Sequence, residues 1–306
     1  MVRSLVATGA GFGASMLAGG LLEAHAFLIR RHRIPVLAPG SAPIRVLHIS
    51  DLHLLARQDD ALRFLSSLNE LAPDLVVSTG DHVSQASAIG PMVAALGELL
   101  QLPGVFVFGS NDFVKPYFRN PLGYLVRRAT GEHERSGPDA SAGTLPTQQL
   151  RDELSSRGWV YLDDAQTTLR VADRRIQLRG TGDAHIGLDH YDKVAGPPDG
   201  DADIVLGVTH APYQRVLNAM VDDGLPLIMA GHTHGGQVCL PTGRPIVTNC
   251  DIGPDHAKGL SRWHHDGGAS WLYVSAGMGT SPYAPYRLFC RPEAALLTLV
   301  ASDTRD

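Results

Sequence analysis

Fourteen histidines stand beside 31 acidic residues in this 306-residue chain, and several fall into short runs of Gly, Asp and His. Asp51-Leu52-His53 comes first, followed by Gly80-Asp81-His82, Gly109-Ser110-Asn111-Asp112, Thr209-His210 and Gly231-His232-Thr233-His234. Carboxylates mixed with imidazoles suit borderline divalent ions such as Mn, Fe or Zn. Asp51 and His53 are two apart, so both can face one cleft while Leu52 faces a core; His232 and His234 repeat that spacing. Asp81 offers a carboxylate able to bridge, and two ligand sets sharing it would hold ions about 3.5–4 Å apart. Cys239, Cys250 and Cys290 form no CxxC pair, which sets aside a thiolate zinc knuckle and a disulfide framework.

Each run follows a segment that reads as a strand. Residues 44–50, 75–79, 105–108, 204–208 and 225–230 are β-rich, and 271–275 and 295–300 add late strands. Residues 59–71, 92–100, 147–157 and 214–221 carry apolar residues at helical spacing. Residues 168–171 and 175–179 alternate around Ala172-Asp173-Arg174, a hairpin that implies a second sheet. Strands alternating with helices predict an α/β fold with a mainly parallel sheet, whose ligands collect at the carboxyl ends of the strands. Residues 115–146 lack periodicity and read as a long surface excursion of the kind that serves as a lid.

In this order the five motifs resemble the calcineurin-like metallophosphoesterase superfamily. The run from Gly231 to Gln237, with the later Gly279-Thr280-Ser281, Pro285-x-Arg287 and Pro292-Glu293, is similar to its bacterial membrane-associated and lipid-precursor branch. The likeness covers residues 44–300. It implies a four-layer α/β/β/α sandwich of two mixed sheets with two divalent metal ions. Carried onto this chain, Asp51, His53, Asp81 and His234 would hold one ion; Asp81, His210, His232 and an asparagine of the third motif would hold the other.

The third motif departs from the family's Gly-Asn-His-Asp. Strict columns put Ser110 at the ligand position and Asn111 where a catalytic histidine belongs; a one-residue shift lets Asn111 ligate instead. We take Asn111 as the ligand, because an amide oxygen binds hard divalent ions better than a neutral hydroxyl. Asp81, Asn111 and Asp112 are the candidates for catalytic work, with Asp112 either orienting a ligand or capping its turn. A hydroxide shared by the two ions would attack phosphorus in line, and the ions would neutralise the phosphate oxygens. Without the histidine, a positioned acid worth about 10²–10⁴-fold is missing. A phosphodiester or pyrophosphate with a good leaving group, nucleotide- or lipid-linked, is therefore the expected small-molecule substrate. The alternatives are a phosphoprotein phosphatase and a scaffold that kept the fold after its chemistry decayed.

Other polar residues have simpler readings. His48 lies inside a strand and belongs to the core, while His82 turns away from the ions. Asp183 and His185 read as a satisfied surface pair before a substitute acid. His190, His256, His264 and His265 fall in polar loops. Arg287 suits either a substrate phosphate or Glu293. Phe106, Phe108, Tyr283 and Tyr286 read as packing.

Residues 5–22 form an uncharged run with five glycines. It reads as a signal peptide ahead of Ala24-His25-Ala26, an uncleaved anchor giving membrane association, or a frayed arm. Residues 1–43 thus form an N-terminal segment and linker, and 44–301 the catalytic domain. The first part carries four arginines and one glutamate; the whole chain is −5. That balance speaks against a nucleic-acid partner bound through a broad basic face.

Overall fold

A computed structural model describes residues 15–117 and 143–302. Its strands are Leu28–Leu37 (β1), Ile44–Ile49 (β2), Leu75–Ser78 (β3), Gly104–Phe106 (β4), Val160–Tyr161 (β5) and Gln166–Val171 (β6), then Arg174–Thr181 (β7), Ile204–Thr209 (β8), Leu227–Ala230 (β9), Gly259–His265 (β10), Gly268–Val274 (β11) and Glu293–Ala301 (β12). They form two six-stranded sheets, ordered β1-β12-β2-β3-β4-β5 and β10-β11-β9-β8-β7-β6.

Alternation along the strands decides what packs where. Val46, Leu75 and Val77 of the first sheet meet Leu206, Val208, Leu227 and Met229 of the second in an inner core. Leu47, Ile49 and Val76 face the other way, toward Leu65, Met92, Leu96 and Leu150 on helices Asp59–Ser67, Ile89–Leu96 and Thr147–Ser155. Val205, Ile228 and Leu272 leave the second sheet on its far side, against Val216, Leu217 and Met220 of helix Gln214–Asp222. The protein is thus a four-layer α/β/β/α sandwich. β2, β3 and β4 run parallel, as do β7, β8 and β9, so their carboxyl ends gather at one edge of each sheet.

Several boundaries differ from the sequence reading. The helix expected over 92–100 begins at Ile89, because Pro91 sits in its first turn, where a missing N–H costs nothing. It stops at Gly97, whose φ is +53°, and a 3-10 turn continues to Gln101. The N-terminal segment expected before residue 44 contains β1, paired in parallel with β12 from Leu28↔Glu293 onward, and only the first three residues of the linker expected at Pro35–Pro43 belong to that strand. Residues 15–23 are helical and dock on the body: Gly20 O accepts the Arg287 N–H at 2.9 Å, and Glu23 accepts the Phe289 and Cys290 N–H groups at 2.9 and 2.6 Å. Residues 5–14 of the uncharged run and 118–142 of the expected excursion lie outside the described residues. Among the described residues, no helix is long and apolar enough to cross a membrane.

Candidate metal centre

The strand ends deliver the polar runs to one place. Beyond β2 and β3 the two turns are stitched together: Asp51 N–H donates to Gly80 O, and His53 N–H to Asp81 O, both at 2.9 Å. Across the sandwich, Gly231 N–H donates to His210 O at 2.9 Å, joining the ends of β8 and β9. Asp51, His53, Asp81 and His234 then offer ligand atoms all within 4.8 Å of one another. His210 Nε2 lies 3.6 Å from Asp81 Oδ2, and the His232 ring centroid is 5.2 Å from that of His210. Six side chains expected from sequence are therefore together.

The backbone beneath them is strained. Asp51, His53, Asp81, His232 and His234 all have positive φ, at 49°, 43°, 53°, 69° and 50°. Such conformations cost about 1–3 kcal/mol each in non-glycine residues and persist where the surroundings over-determine them. Glycine supplies the remaining closeness at two points. A Cβ on Gly109 would overlap Asp81 Oδ1 and lie 2.6 Å from His210 Nε2; one on Gly231 would overlap Ser50 Oγ.

A directional relay fixes Asp51. Thr79 Oγ1–H donates to Ser50 Oγ at 2.7 Å, and Ser50 Oγ–H to Asp51 Oδ2 at 2.5 Å. Each hydroxyl has one proton, so Thr79 must accept from His48 Nε2 at 2.9 Å. Burial pushes the His48 imidazole down to about 3, which keeps it neutral in this role. The His232 N–H adds two contacts to the Asp51 carboxylate, at 3.1 and 3.0 Å. Asp81 receives the Asn111 N–H on Oδ1 at 2.8 Å and Asn111 Nδ2 on Oδ2 at 2.7 Å.

These residues suit a cation. Thr79 O takes the His210 Nδ1 proton at 2.6 Å, which leaves Nε2 as the ring nitrogen that a cation would take in place of a proton; that buried nitrogen has no hydrogen-bond partner. His53 Nε2 and His234 Nε2 face each other at 3.1 Å, with His53 Nε2 3.3 Å from Asp81 Oδ2 and His234 Nε2 3.5 Å from Asp51 Oδ1. Burial lowers the His210 imidazole, yet Asp81, Asp183 and Asp51 together lift it to about 10. Burial also raises the Asp51 carboxyl. Against its own burial, Asp81 is held below the usual carboxylate range by His210, His53 and Asn111. Burial and neighbouring His185 drive His232 well down, and burial with His53 does the same to His234. Two buried carboxylates that hold a proton on His210, beside His232 and His234 kept neutral, make a field that holds positive charge.

Other expectations need correction. Of the two readings of Asp112 the turn cap is the one found: its carboxylate accepts the Gly109, Asp81 and His82 N–H groups at 3.0, 2.8 and 2.8 Å, and pairs with His82 Nδ1 at 3.0 Å. It ties the second turn to the third. Arg287 meets neither a phosphate site nor Glu293; it is buried, and Nη2 donates to Ala276 O and Gly279 O at 2.7 Å each. Glu293 belongs to Arg30 Nε and Tyr273 OH, both at 3.0 Å. Asp183 and His185 are not at the surface but 0% and 5% exposed. The His185 ring centroid lies 4.5 Å from that of His232, and Nδ1 is 3.0 Å from Tyr213 OH. His264 and His265 end β10 rather than a loop. Tyr283 and Tyr286 line a cavity of about 650 Å³ above the cluster, with His53, Asp81, Ser110, Asn111, His185, His232 and His234 toward its floor and Val114, Ile186, Val238 and Val247 along its walls.

The model for calcineurin-like phosphoesterases matches residues 44–236. Phosphodiesterase YaeI of Escherichia coli is 28% identical over 307 residues, spanning 96% of this chain and 95% of that protein. The uncharacterized metallophosphoesterase YkuE of Bacillus subtilis is 25% identical over 307 residues, 99% of this chain and 94% of that one. UDP-2,3-diacylglucosamine pyrophosphatase LpxG of Chlamydia trachomatis is 26% identical over 267 residues, 77% of this chain and 78% of its own. With that match over most of its length and the ligand cluster in place, this chain belongs to the calcineurin-like phosphoesterase family, as a metal-dependent phosphoesterase.

Proposed function

We propose that the cluster is a two-ion hydrolytic centre for a phosphodiester or pyrophosphate bond. Asp51, His53 and His234 would hold one ion and His210 and His232 the other, with Asp81 shared; Asn111, expected as a ligand of the second ion, instead turns its side-chain nitrogen to Asp81 Oδ2 at 2.7 Å. The observation that carries this reading is the convergence of six side chains from four strand ends, five of them at positive φ, beneath one cavity. Divalent ions such as Mn, Fe or Zn bound there supply Lewis acidity, neutralising phosphoryl oxygens and lowering the pKa of the attacking water. The chain's own groups fix the geometry. The His48–Thr79–Ser50 relay orients Asp51, and the two Asn111 N–H groups orient Asp81. Its third turn carries no histidine to protonate a leaving oxygen, so substrates that release a stable anion are favoured.

A lipid-linked substrate fits the apolar walls at Val114, Ile186, Val238 and Val247, and the name of the relative LpxG points the same way. The helix at residues 15–23 rests on Arg287, beside Tyr286 of the cavity wall. Membrane contact through residues 5–22 would therefore bring that wall to a lipid surface.

Chelation tests the reading. Protein stripped with EDTA is expected to lose at least ~10²-fold in hydrolysis of an aryl phosphodiester and to recover it with Mn, Fe, Zn or Co. An alkyl monoester should be cleaved at least ~10²-fold more slowly than a nucleotide-lipid pyrophosphate, for want of the acid. Equal rates on the two substrates would refute the leaving-group argument, and a metal-free, inert wild type would favour the scaffold.

A further inference from the structure

In the third turn the Asn111 amide faces Asp81 through its nitrogen. Asn111 gives both its backbone and its side-chain N–H to Asp81, and Ser110 brings only a hydroxyl to the cavity. One carboxylate close by has no assigned task. Asp183 follows β7, at the same edge of the second sheet as His210 after β8 and His232 after β9. It is fully buried. Its Oδ1 accepts the His185 N–H at 2.8 Å, an Asx turn that fixes the side chain, while Oδ2 is buried without any hydrogen-bond partner. An ionised carboxylate left so is costly unless a cation or donor meets it.

Its surroundings locate it. The Ser110 N–H turns toward its carboxylate, and Gly109 beside it packs on the His210 ring, where a Cβ would come within 2.6 Å of Nε2. Asp183 thus sits between the altered third motif and the histidine whose Nε2 is also orphaned. Like Asp51 and His210, it lies beneath the cavity floor rather than on it.

We propose that Asp183 is a ligand of the second ion, through Oδ2. The inference rests on the two-ion reading above. It gives the two orphaned atoms, Asp183 Oδ2 and His210 Nε2, one shared partner, and it leaves Ser110 and His185 as the backbone donors that hold the ligand still.

The test is metal content of the purified, dialysed full chain by elemental analysis, with thermal unfolding as the check on folding. Wild type is expected to hold about two ions per chain. Asp183→Ala should hold about one, and Asp183→Asn, which keeps the Asx turn and an amide oxygen, should regain the second. In cobalt-loaded protein, Asp183→Asn should also shift the visible d–d absorption, because an amide replaces a carboxylate on the metal. A folded Asp183→Ala that keeps both ions overturns the proposal, as does an Asp183→Asn spectrum identical to wild type. The second readout remains decisive even where the alanine variant fails to fold. Wild type with a single ion would instead sink the two-ion reading itself, before any variant is compared.

Discussion

Asparagine in place of Asp81 is expected to lower kcat/KM on an aryl phosphodiester by about 10³-fold, roughly 4 kcal/mol of transition-state stabilisation, while the chain stays folded. Asp81 is the point on which both halves of the centre lean, with His53 Nε2 at 3.3 Å and His210 Nε2 at 3.6 Å from Oδ2. Asparagine keeps the shape and is among the residues best suited to the left-handed φ of 53° at this position. What it loses is the negative charge that two cations would share in the proposed centre. Steady-state kinetics beside an unfolding curve separate the two effects. Activity within threefold of wild type would show that Asp81 is not the shared ligand.

The second large effect falls on stability. Asp112→Ala strips the acceptor from three backbone N–H groups and from the His82 ring, all in a site with no exposed surface. Breaking a buried, hydrogen-bonded pair on one side costs about 3–5 kcal/mol, so the urea midpoint should fall by more than 1 M at an m-value of about 1–3 kcal/mol/M. Asp112→Asn, which retains one acceptor oxygen, should lie between. A residue working only on substrate would leave the midpoint unchanged, and that result would return Asp112 to the catalytic role its position in the third motif suggests.

The six candidate ligand side chains were legible because each ends a β-rich run at a polar turn; alternation gave the strands and a second sheet, while the four-layer sandwich came from the family resemblance. The rest was hidden for physical reasons. β1 carries Arg30, Arg31, His32 and Arg33 through an edge position, so it shows no clean apolar alternation and reads as the charged flank of the N-terminal segment. Missing β1 also misassigned Arg287, because Glu293, its apparent partner, is taken by Arg30 from that strand. The left-handed φ values at Asp51, His53, Asp81, His232 and His234 fall on residues other than glycine, which announce nothing by type. Thr79 and Ser50 are strand-end hydroxyls whose type announces nothing; their direction, from His48 to Asp51, exists only once β2 and β3 are paired in register. Asp183 and His185 read as surface polar residues because burial at the edge between two sheets is a property of packing, not of spacing.

Anomalous diffraction from crystals soaked in manganese measures the centre most directly. Two peaks about 3.5–4 Å apart are expected on either side of the Asp81 carboxylate, one beside Asp51, His53 and His234 and the other beside His210 and His232. A single peak, or peaks away from Asp81, would contradict a two-ion centre built from these six side chains.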